Sequence, residues 1–411
     1  MDTTGIHFID DFDLNEEATI LIRVDFNVPL EDGKVTDETR IRAAIPTIAH
    51  AIESGAKVIL CSHLGRPKGE RTPELSLEPV AARLAEVIDT DTLIYDMEVV
   101  FPENVVGDDV DTLLTELNPK RQLMLLENLR FEPGEKAGDD EFAKRLAALA
   151  DVYINDAFGA AHRKHASVYT INKFFDRHHR GAGFLIRDEL EGLGRLLDHP
   201  ASPYVAIVGG AKVSDKLGVL RALIDRVDTI LVGGAMAYTF LAADGVEVGD
   251  SLVEADYVDE ARSILERTKM QKTELILPLD HGIGDGIDAA RAEVTADAAI
   301  PEGKMGLDIG PKTRARFREI IESAATIFWN GPLGVFENEA FAEGTMAIAR
   351  AVAECEAYSV IGGGDSAAAV ARAGVADDIG HVSTGGGASL QLVEGKPLPG
   401  VESLRPNYPF D

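Results

Sequence analysis

The sequence predicts an α/β protein built of two domains with parallel sheets, joined by an interdomain helix. Three observations carry this. Apolar, β-branched runs of four to six residues alternate with longer amphipathic segments along the whole chain, the pattern of buried parallel strands covered by helices. The runs fall into two sets separated by a helical stretch with no strand of its own. The length, 411 residues, suits two or three domains.

In the first set the expected strands are 19–24, 57–62, 92–95, 122–126 and 152–154, with helices at 41–54, 77–88 and 139–150. In the second they are 204–208, 229–232, 274–277, 326–329 and 359–361, with helices near 214–225, 255–268, 312–323, 340–354 and 366–373. The stretch 184–197 is the interdomain helix. The proline-rich tail 395–411 reads as a strap returning to the first domain. The expected division is 1–185 plus 395–411 against 186–394.

Composition narrows the function. The net charge is −30, with 15 Lys and 25 Arg against 70 acidic residues. So acidic a chain lacks the basic footprint of a nucleic-acid or anionic-membrane binder, and its few lysines suggest a salt-adapted, halophilic surface. No apolar run reaches the ~18 residues of a membrane helix. The start Met1-Asp2-Thr3-Thr4 is unlike a signal peptide. Two cysteines, Cys61 and Cys355, form no framework. A reduced, cytoplasmic setting is expected.

In a parallel sheet, ligands bind beyond the carboxyl ends of the strands. The first-set ends carry Asp25-Phe26-Asn27, His63-Leu64-Gly65-Arg66, Glu127-Asn128-Leu129-Arg130 and Asn155-Asp156-Ala157-Phe158-Gly159, followed by His162-Arg163-Lys164-His165; Arg40 opens the next helix. A lone loop arginine is usually a surface charge, and a lone histidine a hydrogen-bonded structural residue. Arg40, His63, Arg66, Arg130 and Arg163 on one edge of an acidic protein instead indicate a pocket for a small, multiply anionic substrate, arginine being suited to carboxylate and phosphate. His162 and His165 lack the companions of a metal site.

The second-set ends are glycine-rich: Gly209-Gly210-Ala211-Lys212-Val213-Ser214-Asp215-Lys216, Gly233-Gly234, Gly306-Leu307-Asp308, Trp329-Asn330-Gly331-Pro332 through Glu337, Gly362-Gly363-Gly364-Asp365-Ser366 and Gly385-Gly386-Gly387. Glycine turns at helix starts offer backbone N–H groups to phosphate. Lys212 and Lys216, four apart, are expected to share a helix face. Asp365 suits Mg²⁺, and Glu337 a ribose. Neither a P-loop nor a complete dinucleotide fingerprint occurs.

Taken together these motifs resemble phosphoglycerate kinase, in the family's order from about residue 20 to 390. The resemblance implies two Rossmann-like three-layer domains with a hinge that closes, and reversible phosphoryl transfer between ATP and the carboxylate of 3-phosphoglycerate, with 1,3-bisphosphoglycerate and ADP as the other pair. It implies 3-phosphoglycerate binding through Asp25, Phe26, Asn27, Arg40, His63, Leu64, Gly65, Arg66, Arg130 and Arg163. It implies Mg-ATP or Mg-ADP binding through Gly210, Ala211, Lys216, Gly306, Asn330, Glu337, Gly363, Gly364, Asp365 and Ser366, with Asp365 on the Mg²⁺. Arg40 and Lys212 match the residues that meet the moving phosphoryl group. Ser366 stands where many members have Thr, and 169–180 matches no family motif. A cytoplasmic monomer of the archaeal, halophilic type, without nucleic-acid or membrane partners, is the expectation. Two readings compete. A nicotinamide dehydrogenase requires the dinucleotide turn that is missing. A two-lobed nucleotide- or anion-binding protein without catalysis would need no lysine pair facing five cations.

Overall fold

The computed structural model describes residues 3–410; Met1 and Asp2 of the acidic start, and Asp411 of the strap, lie outside the described residues. The chain forms two compact units, one running to Glu191 and resuming at Pro397, the other Gly192–Lys396. The division falls inside the helix Phe184–Asp198 rather than at 185/186, because a continuous helix carries no linker composition to mark where its packing partners change. No helix among the described residues is long and apolar enough to cross a membrane.

The first unit is built on a six-stranded parallel sheet in the order Glu98–Val100, Gln122–Leu125, Lys57–Cys61, Thr19–Arg23, Val152–Asn155, Arg180–Ala182. Apart from the end residues Thr19, Arg23 and Lys57, its two central strands are apolar, since both faces are covered. Ile20, Ile22, Val58 and Leu60 pack with Ile41, Ile48, Val80 and Leu84 of the helices Thr39–Glu53 and Glu78–Asp91 in one core. The strand expected at 92–95 is not one: Leu93 and Tyr95 are 84% and 65% exposed, and the edge strand is the short Glu98–Val100. The 169–180 stretch forms the 3₁₀ segment Thr170–Phe174 and leads into the edge strand Arg180–Ala182. The tail packs on this unit. Gly400 N donates to Ala161 O (2.8 Å), Asn155 Nδ2 to Gly400 O (3.2 Å) and Arg180 Nη2 to Arg405 O (2.9 Å).

The second unit has a six-stranded parallel sheet in the order Glu274–Ile276, Thr229–Val232, Tyr204–Val208, Thr326–Asn330, Tyr358–Gly362, His381–Val382. Numbered along the unit, this is 3-2-1-4-5-6, the doubly wound order whose switch point lies between strands 1 and 4. Gly209 and Asn330 therefore stand side by side at the carboxyl ends of the two strands that flank the switch point. A separate three-stranded antiparallel sheet, Glu293–Val294, His281–Gly284 and Met305–Ile309, carries Gly306.

Candidate functional site

On the first sheet, Arg23 is the last residue of the central strand and is wholly buried. Its Nε donates to Ser167 Oγ (2.9 Å), its Nη1 to Val24 O and its Nη2 to His63 Nδ1 (3.0 Å). Ser167 donates from its N (2.9 Å) and Oγ (2.6 Å) to the buried Glu135 carboxylate. A guanidinium can only donate, so His63 Nδ1 is the acceptor and the proton sits on Nε2. Asp25 Oδ1 is 3.7 Å from the same ring nitrogen, beyond hydrogen-bond reach. Burial, then Arg23, Arg130, Arg163 and Arg40, hold the His63 imidazole well below its ordinary value. His63 is thus a neutral donor, not a fifth cation.

Around it, Arg40 Nη1 pairs with Asp25 Oδ2 at 2.6 Å. Asn27 Oδ1 accepts from Gly65 N at 2.9 Å, and Gly65 O accepts from Arg130 Nη1. Arg163 Nε donates to His162 Nε2 at 3.0 Å, and Arg66 is exposed. Burial and the charges of Arg163 and Arg23 bring the Arg130 guanidinium down to about 10; burial and Arg163 bring the His165 imidazole down to about 3. Asp25 Oδ1, Arg130 Nε, His162 Nδ1 and His165 Nδ1 are buried without a hydrogen-bond partner. The side chains of Phe26 and Leu64 lie in the core, and their amides donate to Ser62 Oγ (2.8 Å) and Asn128 Oδ1 (3.1 Å).

On the second sheet, three strand ends are laced together. Gly209 N donates to Asn330 O (2.9 Å) and Gly210 N to Pro332 O (2.9 Å). Lys216 Nζ donates to Asn330 Oδ1, Asn330 Nδ2 to Gly362 O (2.5 Å), and Gly331 N to Ser366 Oγ (2.6 Å). Glycine is required at 209, where a Cβ would stand 2.1 Å from Pro332 O, and at 363, where φ is +94° and a Cβ would meet Asn330 Nδ2 at 2.9 Å. Gly364 and Asp365 are exposed and open the helix Gly364–Arg372, whereas Ser366 is buried with its hydroxyl committed to Gly331.

The expectation that Lys212 and Lys216 share a helix face fails. The helix begins at Leu217, with Lys216 as its cap residue. Residues 211–215 form an irregular turn, tied down where Ser214 N and Oγ donate to Glu254 (3.0 and 2.7 Å). Lys212 and Ala211 are exposed, whereas Lys216 is half-buried and its ammonium is lowered by burial, with Asp215 and Asp365 acting in the opposite sense.

Gly306 is buried beneath Tyr238, whose hydroxyl a Cβ would meet at 2.3 Å. Beside it opens a cavity of about 830 Å³ lined by Leu252, Gly284, the 285–291 loop, Glu293, Lys304 and Met305. Sequence reasoning missed this cavity; the glycines at 284 and 286 were its only signal. Glu337 is exposed on the segment that follows Val335, whose N donates to Leu307 O at 2.8 Å.

Cations gathered at the end of one parallel sheet, and glycine turns with a lysine at the end of another, place the chain among the phosphotransferases. A family model described as phosphoglycerate kinase matches residues 9–396. The phosphoglycerate kinase of Anaeromyxobacter dehalogenans is 54% identical over 404 residues, covering 97% of this chain and 99% of that one. The solved phosphoglycerate kinase from Coxiella burnetii superposes with a TM-score of 0.84 at 39% identity, and that from Pyrococcus horikoshii OT3 with 0.84 at 32%; each comparison covers 97% of this chain and 98% of the other. The chain belongs to the phosphoglycerate kinase family, and its reaction is reversible phosphoryl transfer between ATP and the carboxylate of 3-phosphoglycerate in glycolysis. The relatives from Anaeromyxobacter dehalogenans and Clostridium novyi, at 54% and 50% identity, are bacterial, so the comparisons give no support to the archaeal, halophilic type.

Proposed function

We propose that the first unit binds 3-phosphoglycerate at the Arg40–His63–Arg130–Arg163 edge, with Asp25, Asn27, Gly65 and Arg66 completing it. We propose that the second unit binds the nucleotide through Gly210, Ala211, Lys216, Asn330, Gly363, Gly364 and Asp365, with Gly306 and Glu337 toward the nucleoside and Ser366 bracing Gly331. The observation that carries the reading is an imbalance of charge. Burial and neighbouring guanidinium groups depress Arg130 and keep His63 neutral. A bound polyanion relieves that imbalance by setting negative charge against the crowded guanidinium groups.

A carboxylate acceptor is already ionised near neutrality, since its reference pKa is about 4, so no general base is needed. The task is to align two anions and neutralise charge on the phosphoryl in transit. Arg40 serves this in the first unit; its pairing with Asp25 is open to exchange for substrate. The exposed Lys212 and the helix start at Gly364 serve it in the second. Asp365 offers a single carboxylate beside that helix start, which suits Mg²⁺, an ion that takes few protein ligands together with phosphate oxygens. When bound, Mg²⁺ supplies charge neutralisation on those oxygens. Incubation with Mg-ATP and 3-phosphoglycerate tests the reading: ADP should form only when the acceptor is present, and no ADP in either low or high salt contradicts it.

The same proposal takes the protein as a cytoplasmic monomer. Its charge of −30 and its 15 Lys against 25 Arg support a salt-adapted surface, for which the melting temperature should rise with salt; full stability in dilute buffer refutes that part.

A further inference from the structure

We propose that Asn338 is a positioning residue for the nucleotide: its side-chain amide holds the 285–291 loop in place and so sets one wall of the adjoining cavity. The inference rests on the reading of this unit as the nucleotide-binding one.

The loop joins the strands His281–Gly284 and Glu293–Val294 and forms much of the cavity lining. Within it, Ala289 N donates to Gly286 O at 3.0 Å. Asp285 pairs with Lys304 at 2.8 Å, but Asp285 is 83% exposed, and such a pair holds little. A second tie comes from outside. Asn338 Nδ2 donates to Ile287 O (2.9 Å) and to Ala289 O (3.0 Å), two carbonyls that bracket the loop's turn. Its Oδ1 accepts from Ala340 N at 3.0 Å and caps the 3₁₀ segment Glu339–Phe341. Both amide hydrogens and the carbonyl are therefore used, a set of roles that only a carboxamide fills.

The other end of the tie is rigid. Asn338 N donates to Val335 O (3.1 Å), and Val335 N donates to Leu307 O (2.8 Å) of the strand Met305–Ile309, whose Met305 lines the same cavity. Asn338 thus links the strand Met305–Ile309 on one side of the cavity to the 285–291 loop on another, and it adjoins Glu337 in sequence. The rim that it steadies carries two large aliphatic side chains in solvent, Leu252 at 57% and Ile287 at 53% exposure. Exposed aliphatics around a cavity suit an apolar, planar group such as a nucleobase.

The test compares Asn338→Asp, Asn338→Ser and Ile287→Asp in the full-length enzyme, with KM measured separately for ATP and for 3-phosphoglycerate. Asn338→Asp keeps the shape and the cap but cannot donate, and it sets a carboxylate against two carbonyls. Loss of two hydrogen bonds predicts a KM for ATP raised roughly five- to tenfold, with the KM for 3-phosphoglycerate within about twofold of wild type. Asn338→Ser, which caps without donating, should move ATP in the same direction without an added charge, and it keeps the test available if the aspartate variant folds poorly. Ile287→Asp should raise the KM for ATP alone. If Ile287→Asp weakens ATP and neither Asn338 variant does, the cavity is the nucleoside site and Asn338 does not position it. If Ile287→Asp leaves ATP unchanged, the nucleoside lies elsewhere and the reading beneath the inference fails. Equal rises in both KM values refute the positioning role.

Discussion

Consider replacing His63 with Leu, which can neither donate nor accept a hydrogen bond, and following substrate affinity across pH. His63 is 5% exposed, and its Nδ1 accepts from Arg23 Nη2 at 3.0 Å. Protonating that nitrogen would break the bond and place a second cation against the first. At an effective dielectric of ~20, two unit charges about 4 Å apart repel by about 4 kcal/mol, which opposes protonation of the ring. Arg130, Arg163 and Arg40 add to the repulsion, while the Asp25 carboxylate is already held by Arg40 at 2.6 Å. The ring therefore stays neutral wherever the protein is folded, and it offers one uncharged hydrogen bond through Nε2. Such a bond is worth ~1 kcal/mol, about fivefold in affinity, whereas a charged partner is worth roughly 1.5–3 kcal/mol, or tenfold and upward. The assay is the KM for 3-phosphoglycerate at saturating Mg-ATP, as the ratio of variant to wild type, in which ionisation of the substrate cancels. The ratio should stay near about five and flat from about pH 5.5 to about pH 8. A ratio that climbs tenfold or more as pH falls through ~6.5, the ordinary histidine value, refutes the neutral assignment.

Two further outcomes follow from the same geometry. Lys212→Ala should lower turnover by about a hundredfold or more, the scale of one lost electrostatic contact to the reacting group, and leave 3-phosphoglycerate binding unchanged by calorimetry; unchanged turnover contradicts its role. Asp156 is buried, accepts from Ile186 N at 3.2 Å, and is pushed up from 3.8 to about 7, chiefly by burial. A raised carboxyl favours the protonated folded state, so its stabilisation is full below the unfolded value and is lost as pH rises through about 7. The wild type should lose a few degrees of melting temperature relative to Asp156→Asn between about pH 6 and about pH 8.5, and parallel curves at all pH values refute this.

The buried parallel strands were the most legible part of the chain. Tyr204–Val208 and Thr229–Val232 agree with expectation residue for residue, because a strand covered on both faces is written as an uninterrupted apolar run. Glu98–Val100 escaped because it is short and only half-buried, while the more apolar Leu93 and Tyr95 beside it drew the assignment. The start of the helix at Leu217 was illegible for another reason. What holds the preceding turn out of the helix is Glu254, 40 residues away, and local propensity carries no trace of it. The site divides the same way. The cations could be gathered from sequence because a parallel sheet sends every strand end to one edge. Arg23 is a charge at the end of an apolar run, but nothing local marks its partner Ser167, 144 residues distant, or the Glu135 behind it. The cavity by Gly306 is shaped by an irregular loop whose position depends on Asn338, so pattern alone could not place it.

The central claim is that the arginine-lined edge takes 3-phosphoglycerate independently of the nucleotide. Calorimetric titration of wild type and Arg130→Met with 3-phosphoglycerate, and separately with ADP, tests it most directly. Losing a charge-assisted contact worth roughly 1.5–3 kcal/mol should weaken 3-phosphoglycerate about tenfold or more and leave ADP affinity unchanged. Equal weakening of both ligands, or unchanged 3-phosphoglycerate binding, would contradict the account.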